Sequence, residues 1–429
     1  MADKRYIVTH ADANIDVEHA AMLLKRDKGN VHAIVDASSM KAQEACHFCG
    51  IGVTILPMTD HEAGQLKELP DVSVIEDFKI EGFGDLSVDK SKTQPTTLAT
   101  DKKFATTDSG QKIPENIQTV GADLVWPYAT GKGVKVAVLD TGIYKGHPDL
   151  EVAGGVLIEQ GVVVNHTGWG DNSIKTKSHG TQCAGIIGAR NNEQGIVGIA
   201  PECDLYSVKI LDSNIEGDFS SLLRALHWAL HESMDVLSIS CRWTDQELAN
   251  EGHEDCYRDA LKRLVDHLNQ KGCVIVAASG NMDDGHPENM VSEPAREEGV
   301  IAVGAIDRGW FSNSRIQYGY HWQQDLPLAP FSCWKPGGIV DICAPGVDID
   351  TTVNPNIWGN MYQPGIGTSM ACPHVAGAAG LLKELYRDWT SEQIRSALCH
   401  HAWDIGKKGK DDETGYGLLD CFASAEIKS

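Results

Sequence analysis

Three short apolar runs, separated by helical patterns, place the strongest limit on how this chain can fold. They are residues 134–139 (VKVAVL), 236–239 (VLSI) and 274–278 (VIVAA). Runs that are apolar at almost every position are typical of strands buried on both faces of a parallel sheet. Helical patterns at 219–232 and 255–270 lie between them and predict right-handed crossovers. The sequence therefore predicts an α/β protein with a doubly wound, mostly parallel sheet.

A polar residue follows each apolar run. Asp140 comes directly after the first, Ser240 comes directly after the second, and the third continues into Ser279-Gly280-Asn281. The carboxyl ends of parallel strands meet at one edge of a sheet, and ligands of doubly wound proteins bind there. We therefore expect Asp140 to lie at the functional edge of the sheet.

Ser369 is a candidate nucleophile because its surroundings would present the hydroxyl at the start of a helix. Gly365 and Gly367 allow a close approach, and the run from Met370 onward predicts a helix with Pro373 in its first turn. The free N–H groups and the dipole of such a helix start favour an anion. Taken alone, the same pattern also fits an ordinary serine cap on a buried helix.

His179 begins another helical pattern of small residues, HGTQCAG. A single histidine at a helix start is usually structural, but this one stands between Asp140 and Ser369 in the sequence. Asp, His, Ser is the order of the catalytic residues in subtilisin. The three residues together therefore predict nucleophilic catalysis by Ser369.

The chain resembles the subtilisin-like serine proteases, or subtilases, in six motifs. The resemblance extends from about residue 111 to the C-terminus, where TGYGLLD at 414–420 is similar to the family's closing segment. One motif alone is weak evidence, whereas six in order are specific. The motifs are VAVLDTGI around Asp140, HPDL at 147–150, HGTQCAG around His179, NNEQGIVGIAP at 191–201, AASGN ending in Asn281, and GTSMACPHVAG around Ser369.

The resemblance implies a role for each catalytic residue. Ser369 would attack the peptide carbonyl, His179 would take its proton and return it to the leaving amine, and Asp140 would hold the imidazole. The backbone N–H of Ser369 and the side-chain amide of Asn281 would form the oxyanion hole.

The resemblance also implies that substrate binds as an extended strand beside residues 240–243. The first pocket would be walled by two segments, with Ser240, Cys241 and Arg242 in one and Ala278 and Gly280 in the other. Relatives usually carry Leu-Gly-Gly after the serine, whereas this chain has Cys241-Arg242-Trp243. Two interpretations stay open, in which the bulky side chains either occupy this region or turn outward to solvent.

A structural calcium ion (Ca²⁺) is implied by similarity to the family's high-affinity site. About six oxygen ligands would hold it, a number that calcium accepts. The alternative is a hydrogen-bonded polar loop without metal. The ligands would be the side chains of Gln111, Asp149 and Asn192 and the main-chain carbonyls of Arg190, Gln194 and Ile196.

The N-terminal part predicts a separate domain. Residues 1–84 resemble a small α+β subtilase pro-domain, 85–110 read as a polar linker and processing region, and 111–429 form the catalytic domain. Within the pro-domain we expect strands at 5–8, 31–35, 53–56 and 72–75, helices at 16–25 and 61–69, and an additional helical piece at 38–50. The segment ending near Phe83-Gly84 is the candidate tail that enters the cleft.

Composition limits the partners and the compartment. The formal charge of −23 argues against nucleic acid and anionic membranes, and no apolar run approaches the ~20 residues that span a bilayer. The start MADKRYIVTH lacks a secretory signal, so the protein would be cytoplasmic if Met1 is the native start and secreted if a signal has been removed. We expect a monomer, and the 12 cysteines fit buried free thiols at least as well as disulfides.

The predicted function is that of a serine endopeptidase, made as a self-processing precursor, with polypeptide substrates and its own pro-domain as intramolecular inhibitor. One alternative is a peptide ligase or macrocyclase that uses the same acyl-enzyme, with the aromatic insertion at 307–330 as a water-excluding lid. A second alternative is a non-catalytic peptide-binding module on the same fold.

Overall fold

The computed structural model describes most of the chain outside the predicted linker. The predicted helix at 16–25 and the predicted insertion at 307–330 fall largely outside the described residues. The described residues are 4–15, 19–20, 22, 31–33, 45–83, 106–107, 110–171, 178–243, 254–282, 289–307 and 328–427.

An eight-stranded sheet forms the centre of the C-terminal part. Seven of its strands pair in parallel, and β9 pairs antiparallel with β8 at one edge. The predicted doubly wound, mostly parallel sheet is therefore confirmed. In spatial order the strands are β16 (Ile342–Pro345), β15 (Val300–Ile306), β14 (Val274–Ala278), β12 (Val236–Ile239), β7 (Lys135–Asp140), β10 (Asp204–Lys209), β8 (Val152–Glu159) and β9 (Val162–Asn165).

Helices cover both faces of this sheet, because alternate side chains of its strands are buried on opposite sides. The helices of the C-terminal part are α2 (Glu115–Thr119), α3 (His179–Gly188), α4 (Phe219–His231), α5 (Glu254–Gln270), α6 (Pro355–Trp358), α7 (Thr368–Leu385), α8 (Ser391–His400) and α9 (Cys421–Ser424). Val136 and Val138 belong to the hydrophobic cluster shared with α3, α7 and α8, and Ala137 and Leu139 belong to the cluster shared with α4 and α5.

The N-terminal part contains a five-stranded sheet with helix α1 (Asp60–Lys67) on one face. Thr59 and Glu62 form a capping box that fixes the start of α1. The predicted strands and the second predicted helix of this part are confirmed within one to three residues. In spatial order the strands are β2 (Val31–Ala33), β3 (Ala45–Phe48), β4 (Val53–Met58), β1 (Lys4–His10) and β5 (Val72–Glu76).

The expected helical piece at 38–50 is wrong for its described residues, because Ala45–Phe48 form strand β3. This strand pairs with β2 on one side and with β4 on the other. Phe48 is buried and stacks on His227 of α4, with 4.5 Å between the ring centroids. Pairing with neighbouring strands and burial against α4 therefore override the local pattern.

The two parts share one continuous hydrophobic core. Ile7 and Ile55, from the sheet face opposite α1, belong to the same buried cluster as Leu222 of α4 and Leu261 of α5. Arg263 of α5 also donates from Nη1 to the main-chain oxygens of His10 (2.8 Å) and Ile51 (3.1 Å). The N-terminal sheet is thus fixed against two helices of the C-terminal part.

A small three-stranded sheet joins the two parts beside the edge of the large sheet. Its central strand, β6 (Lys79–Gly82), comes from the N-terminal part and pairs antiparallel with β11 (Glu216–Asp218) and β13 (Cys241–Arg242). Two further strands, β17 (Ile349–Thr352) and β18 (Tyr362–Gly365), form a hairpin before α7.

Eleven of the cysteines lie among the described residues, and all eleven are free thiols. All of them are buried except Cys49. Among the described residues, no helix has both the length and the apolar character needed to cross a membrane.

Candidate active site

The carboxyl ends of three neighbouring strands bring together Asp140, Ser240 and Asn281. Asp140 ends β7, Ser240 directly follows β12, and Asn281 lies three residues beyond β14. These strands are adjacent in the sheet, in the order β14-β12-β7. Because they are parallel, their polar ends lie at one edge of the sheet, as the sequence predicts.

His179, the first residue of α3, is hydrogen-bonded to Asp140. Its Nδ1 lies 2.8 Å from Oδ2 and 2.9 Å from Oδ1 of the carboxylate, and both side chains are buried. Asp140 Oδ1 also accepts from the N–H of Thr141 at 2.6 Å. The proton on Nδ1 is donated to the carboxylate, so the unprotonated, basic nitrogen of the neutral imidazole is Nε2.

Ser369 is the second residue of α7, so the helix begins earlier than predicted. Pro373 is consequently the sixth helical residue and does not lie in the first turn. At this position proline removes the N–H that would bond to the Ser369 carbonyl. Two side chains lie near that oxygen instead, with Cys183 Sγ at 3.5 Å and Ser240 Oγ at 3.4 Å.

Asn281 is oriented by Thr368, a residue that the sequence analysis missed. Asn281 Oδ1 accepts from the N–H of Thr368 at 2.9 Å and from its Oγ1 at 2.8 Å. These bonds fix the amide, and its Nδ2 is buried without a hydrogen-bond partner. An orphaned buried donor next to Ser369 can stabilise an oxyanion.

Gly367 is required where the nucleophile and this amide meet. Its φ of 137° lies in the region that favours glycine. A Cβ atom there would stand 3.0 Å from Ser369 Oγ and 3.1 Å from Asn281 Nδ2. It would therefore occupy the space between the two groups, where a reacting carbonyl has to enter.

The residues predicted to wall the first pocket lie together at this edge of the sheet, and they are buried. Cys241 and Ala278 are both buried, and Gly280 donates its N–H to Thr368 Oγ1 at 3.3 Å. Ser292 lies next to Gly280, where an added Cβ would stand 2.7 Å from the Ser292 hydroxyl.

The interpretation that Arg242 and Trp243 turn outward to solvent is wrong. They are only 3% and 2% exposed. Trp243 packs edge-on against Phe219 and Tyr257, with ring centroids at 5.2 and 6.0 Å. Neighbouring aromatic rings therefore hold Trp243 inside, and polar partners hold Arg242: its Nη1 donates to the main-chain oxygen of Asn281 at 2.9 Å.

The cleft beside this wall holds strand β6 of the same chain. Gly82 lies opposite Cys241, and Glu81 lies opposite Arg242. On the other side, Gly82 donates its N–H to the Ile215 carbonyl at 2.8 Å. The segment ending near Phe83-Gly84 is the one that the sequence predicts to enter the cleft, and residues 79–83 carry a short alternation of polar and apolar residues.

Of the six residues predicted to bind calcium, four place an oxygen atom around the side-chain amide of a fifth, Gln111. Gln111 Nε2 lies 2.9 Å from the Arg190 carbonyl and 2.8 Å from the Ile196 carbonyl, 3.4 Å from Asn192 Oδ1, and also contacts the Gln194 carbonyl. An amide has two N–H bonds, so it cannot satisfy four oxygens.

Asp149 completes this cluster. Its Oδ2 accepts from the N–H of Ile196 at 3.0 Å and from the Tyr362 hydroxyl at 2.9 Å. Its Oδ1 is buried without a hydrogen-bond partner. A buried carboxylate oxygen beside surplus carbonyl oxygens is a donor set suited to a hard cation.

Comparison with known proteins assigns a family to these features. The model of the subtilase family matches residues 131–417. Subtilisin E of Bacillus subtilis (strain 168) is 34% identical over 341 residues, which cover 79% of this chain and 78% of that protein. The Bacillus pumilus subtilisin is 36% identical over 317 residues, covering 74% of this chain and 100% of that protein.

Subtilisin J of Geobacillus stearothermophilus is similar over a longer stretch. It is 31% identical over 398 residues, which cover 91% of this chain and 93% of that protein. Residues 84–429 alone cannot provide this coverage, so the similarity extends into the first 83 residues.

Proposed function

Because this chain belongs to the subtilase family and is a serine endopeptidase, we propose that it is made as a precursor that cuts itself between Phe83 and Gly84. The residues up to Phe83 are then the pro-domain, 84–110 the linker, and 111–429 the catalytic domain. The cut would make Gly84 the new N-terminal residue, at the start of the linker.

The antiparallel register of β6 and β13 is the observation that carries this proposal. Continued by one residue, the pairing of Gly82 with Cys241 brings Phe83 opposite Ser240. Ser240 Oγ lies 3.4 Å from the main-chain oxygen of Ser369, which supports a position for Phe83 beside the nucleophilic residue. Phe83 is itself buried, as a substrate side chain in a pocket would be.

The proposed reaction uses the residues of the site in the following roles. Ser369 Oγ attacks the Phe83 carbonyl while His179 Nε2 takes its proton, and Asp140 holds the imidazolium. The amide of Asn281 and the N–H of Ser369 stabilise the oxyanion. The bond to Gly84 then breaks, its nitrogen receives the proton from His179, and water hydrolyses the ester on Ser369.

After the cut, β6 would stay in the cleft as a product-like strand and inhibit the enzyme. Several contacts would retain it. Lys79 pairs with Asp218 at 2.7 Å, and Asp77 accepts from the N–H of Ser220 at 2.9 Å, close to the positive end of the α4 dipole. The shared hydrophobic core adds further affinity. These contacts support the roles of inhibitor and folding template that we propose for the N-terminal domain.

Calcium is proposed as the structural ion of the cluster around Gln111 and Asp149. The orphaned Oδ1 of Asp149 and the surplus of carbonyl oxygens around Gln111 support it. When bound, the cation would neutralise the carboxylate and satisfy the oxygens together, which ties the loop at 190–196 to the start of the catalytic domain.

Other polypeptides are the proposed substrates of the processed enzyme. They would take the place of β6 and pair with Cys241 and Arg242 as a strand, while Ser240, Ala278 and Gly280 wall the first pocket. The relatives named above are subtilisins, so the comparisons give no support to peptide ligation or to a non-catalytic binding role.

Intact mass measurement of purified Ser369→Ala and wild-type protein tests the proposal. The wild type should give a fragment that ends at Phe83 and a partner that begins at Gly84, whereas Ser369→Ala should remain one chain. Ser391→Ala, at the start of α8, is the matched control and should be cut normally. Cleavage of Ser369→Ala at the wild-type rate would refute the proposal.

A further inference from the structure

Arg242 brings a buried positive charge to the wall of the cleft. Its side chain bonds in two directions, because Nη1 donates to the Asn281 carbonyl at 2.9 Å and Nε donates to Glu81 Oε1 at 3.0 Å. A guanidinium shielded from water depends on such acceptors. One of these acceptors belongs to the catalytic domain, but Glu81 belongs to the strand that occupies the cleft.

Glu81 is the third residue before the proposed cut, and its position is fixed by the main chain. It lies directly opposite Arg242 in the antiparallel pairing of β6 with β13. A substrate strand that replaces β6 with the same pairing would bring its own third residue to this point. Arg242 remains part of the enzyme after the cut, so its guanidinium would face every such substrate.

We propose that Arg242 selects polypeptide substrates that carry a carboxylate side chain at the third residue before the cut bond. The inference rests on the proposed function, because it takes β6 as the image of a bound substrate. A glutamate there restores the charge-assisted hydrogen bond now made by Glu81. Glutamine would offer only a neutral acceptor, and lysine would place a like charge against a buried guanidinium.

This selection depends on the Arg242 side chain itself, because a residue without a side chain at this position could not contact the substrate there. The 43% exposure of the Glu81 side chain limits the effect, because water screens part of the attraction. The hydrogen bond is nevertheless directional, since Arg242 itself is held on its other side by Asn281.

The neighbouring positions define the probe peptides. A Cβ atom on Gly82 would collide with Ile215 and would lie 2.9 Å from Leu211 Cδ1, so the second residue before the cut has little room. The ring of Phe83 has its centroid 5.4 Å from the Arg242 guanidinium. Probe peptides therefore keep Ile-X-Gly-Phe before the cut and differ only at X, which is Glu, Gln or Lys.

The test compares kcat/KM for these three peptides on processed enzyme, with concentrations set by fluorophosphonate titration of active sites. We expect the Glu peptide to exceed the Gln peptide by about tenfold, and the Lys peptide by more. The ratio should shrink as the salt concentration rises, because the pair is partly exposed. Equal kcat/KM for all three peptides would overturn the proposal.

Three variants attribute the preference to Arg242. The Glu-to-Gln ratio should fall to about one in Arg242→Gln, and Arg242→Glu should prefer the Lys peptide. Arg242→Lys keeps the positive charge and should retain a preference for the Glu peptide. This result would show that a substitution at position 242 does not by itself prevent folding. Persistence of the wild-type ratio in Arg242→Gln would also refute the proposed role.

Arg387→Gln is the matched control for the loss of one positive charge. Arg387 forms an exposed ion pair with Asp235 at 3.4 Å, before the amino end of β12 and so at the opposite edge of the sheet. It should keep the wild-type ratio. N-terminal sequencing of the same preparations separates the two hypotheses. A chain not cut after Phe83 would refute the proposed processing, whereas a normal cut without a Glu preference would refute only the role of Arg242.

Discussion

The Sγ atom of Cys183 lies 3.5 Å from the main-chain oxygen of Ser369, the oxygen that Pro373 leaves without its helical partner. Cys183 Sγ is also 3.9 Å from Asp140 Oδ2. It is one helical turn from His179, so the same face of α3 carries both side chains. A metal atom added to this sulfur would therefore disturb both the carboxylate and the nucleophile.

We predict that a mercurial inhibits the processed enzyme through Cys183. Burial raises the pKa of this thiol well above its ordinary value, and the Asp140 carboxylate raises it further. Alkylating agents that need a thiolate should consequently react slowly. Cys183→Ala should resist the mercurial, whereas Cys203→Ala, which removes another buried thiol, should stay sensitive. Equal inhibition of both variants would exclude Cys183 as the target.

Chelation of calcium should lower the melting temperature of the processed enzyme. Binding to the native state alone stabilises it by about 4 kcal/mol at a thousand times Kd, which corresponds to roughly 6 °C for a domain of this size. Asp149→Ala should remove most of the response, whereas exposed Asp388→Ala should retain it. Scanning calorimetry with and without chelator measures the difference, and identical melting curves would count against the ion.

Asn281 and Thr368 should affect turnover to different extents. Asn281→Ala removes an oxyanion donor, and loss of the equivalent donor in subtilisin costs roughly 10²–10³ in kcat. Thr368→Val removes one of the two bonds that orient the Asn281 amide, so we expect a smaller loss, of about tenfold. KM should change little in either variant, because the oxyanion forms only during the reaction. A large rise in KM with unchanged kcat would contradict these roles.

Residues 1–83, made separately, should inhibit the processed enzyme competitively and speed its refolding. The sheet face that carries α1 has a hydrophobic core of its own, which includes Tyr6, Leu56 and Leu66. The parallel sheet of the catalytic domain closes long loops before its strands can pair, and a folded template lowers that barrier. Refolding of acid-denatured residues 84–429 with and without the fragment measures the effect. A fragment that does neither would refute the pro-domain assignment.

The uncut precursor should lose stability as the pH falls below about 6.5. Burial lowers the pKa of His10 to about 4, with the neighbouring His47 and Arg263 as further causes. Burial also lowers the pKa of His227 to about 3, with further contributions from Arg224, His231 and His47. Below about pH 6.5 the histidines of the unfolded chain bind protons that the same histidines of the folded chain do not bind. The contribution of these groups to the free energy of unfolding is therefore fully present above pH 6.5 and declines towards pH 4.

Asp77 opposes this trend. Burial raises the pKa of its carboxyl to about 7, so the folded chain binds this proton more readily than the unfolded chain between pH 4 and 7. The two histidines lower the stability of the folded chain as the pH falls and the one aspartate raises it, so we expect a net loss of stability. The melting temperature of the Ser369→Ala precursor should fall from pH 7.5 to 5, less steeply after His227→Gln than after His400→Gln, which changes an exposed histidine. A flat profile would contradict the prediction.

The elements that bring the site together could be predicted from the sequence because they are encoded by short patterns. Burial on both faces makes β7, β12 and β14 apolar at almost every position, and their polar ends therefore predict where Asp140 and Asn281 lie. The motifs around His179 and Ser369 likewise carry their own helix starts. These features depend on residues within a few positions of one another.

Only the tertiary structure decided which way the side chains in the cleft point. Arg242 turns inward because Glu81, 161 positions earlier in the chain, and Asn281 accept its hydrogen bonds. Residues 45–48 became a strand because β2 and β4 pair with them on either side. Periodicity reports the face that a segment buries, but not the distant partner against which it is buried, because that partner is set by the packing of the whole chain.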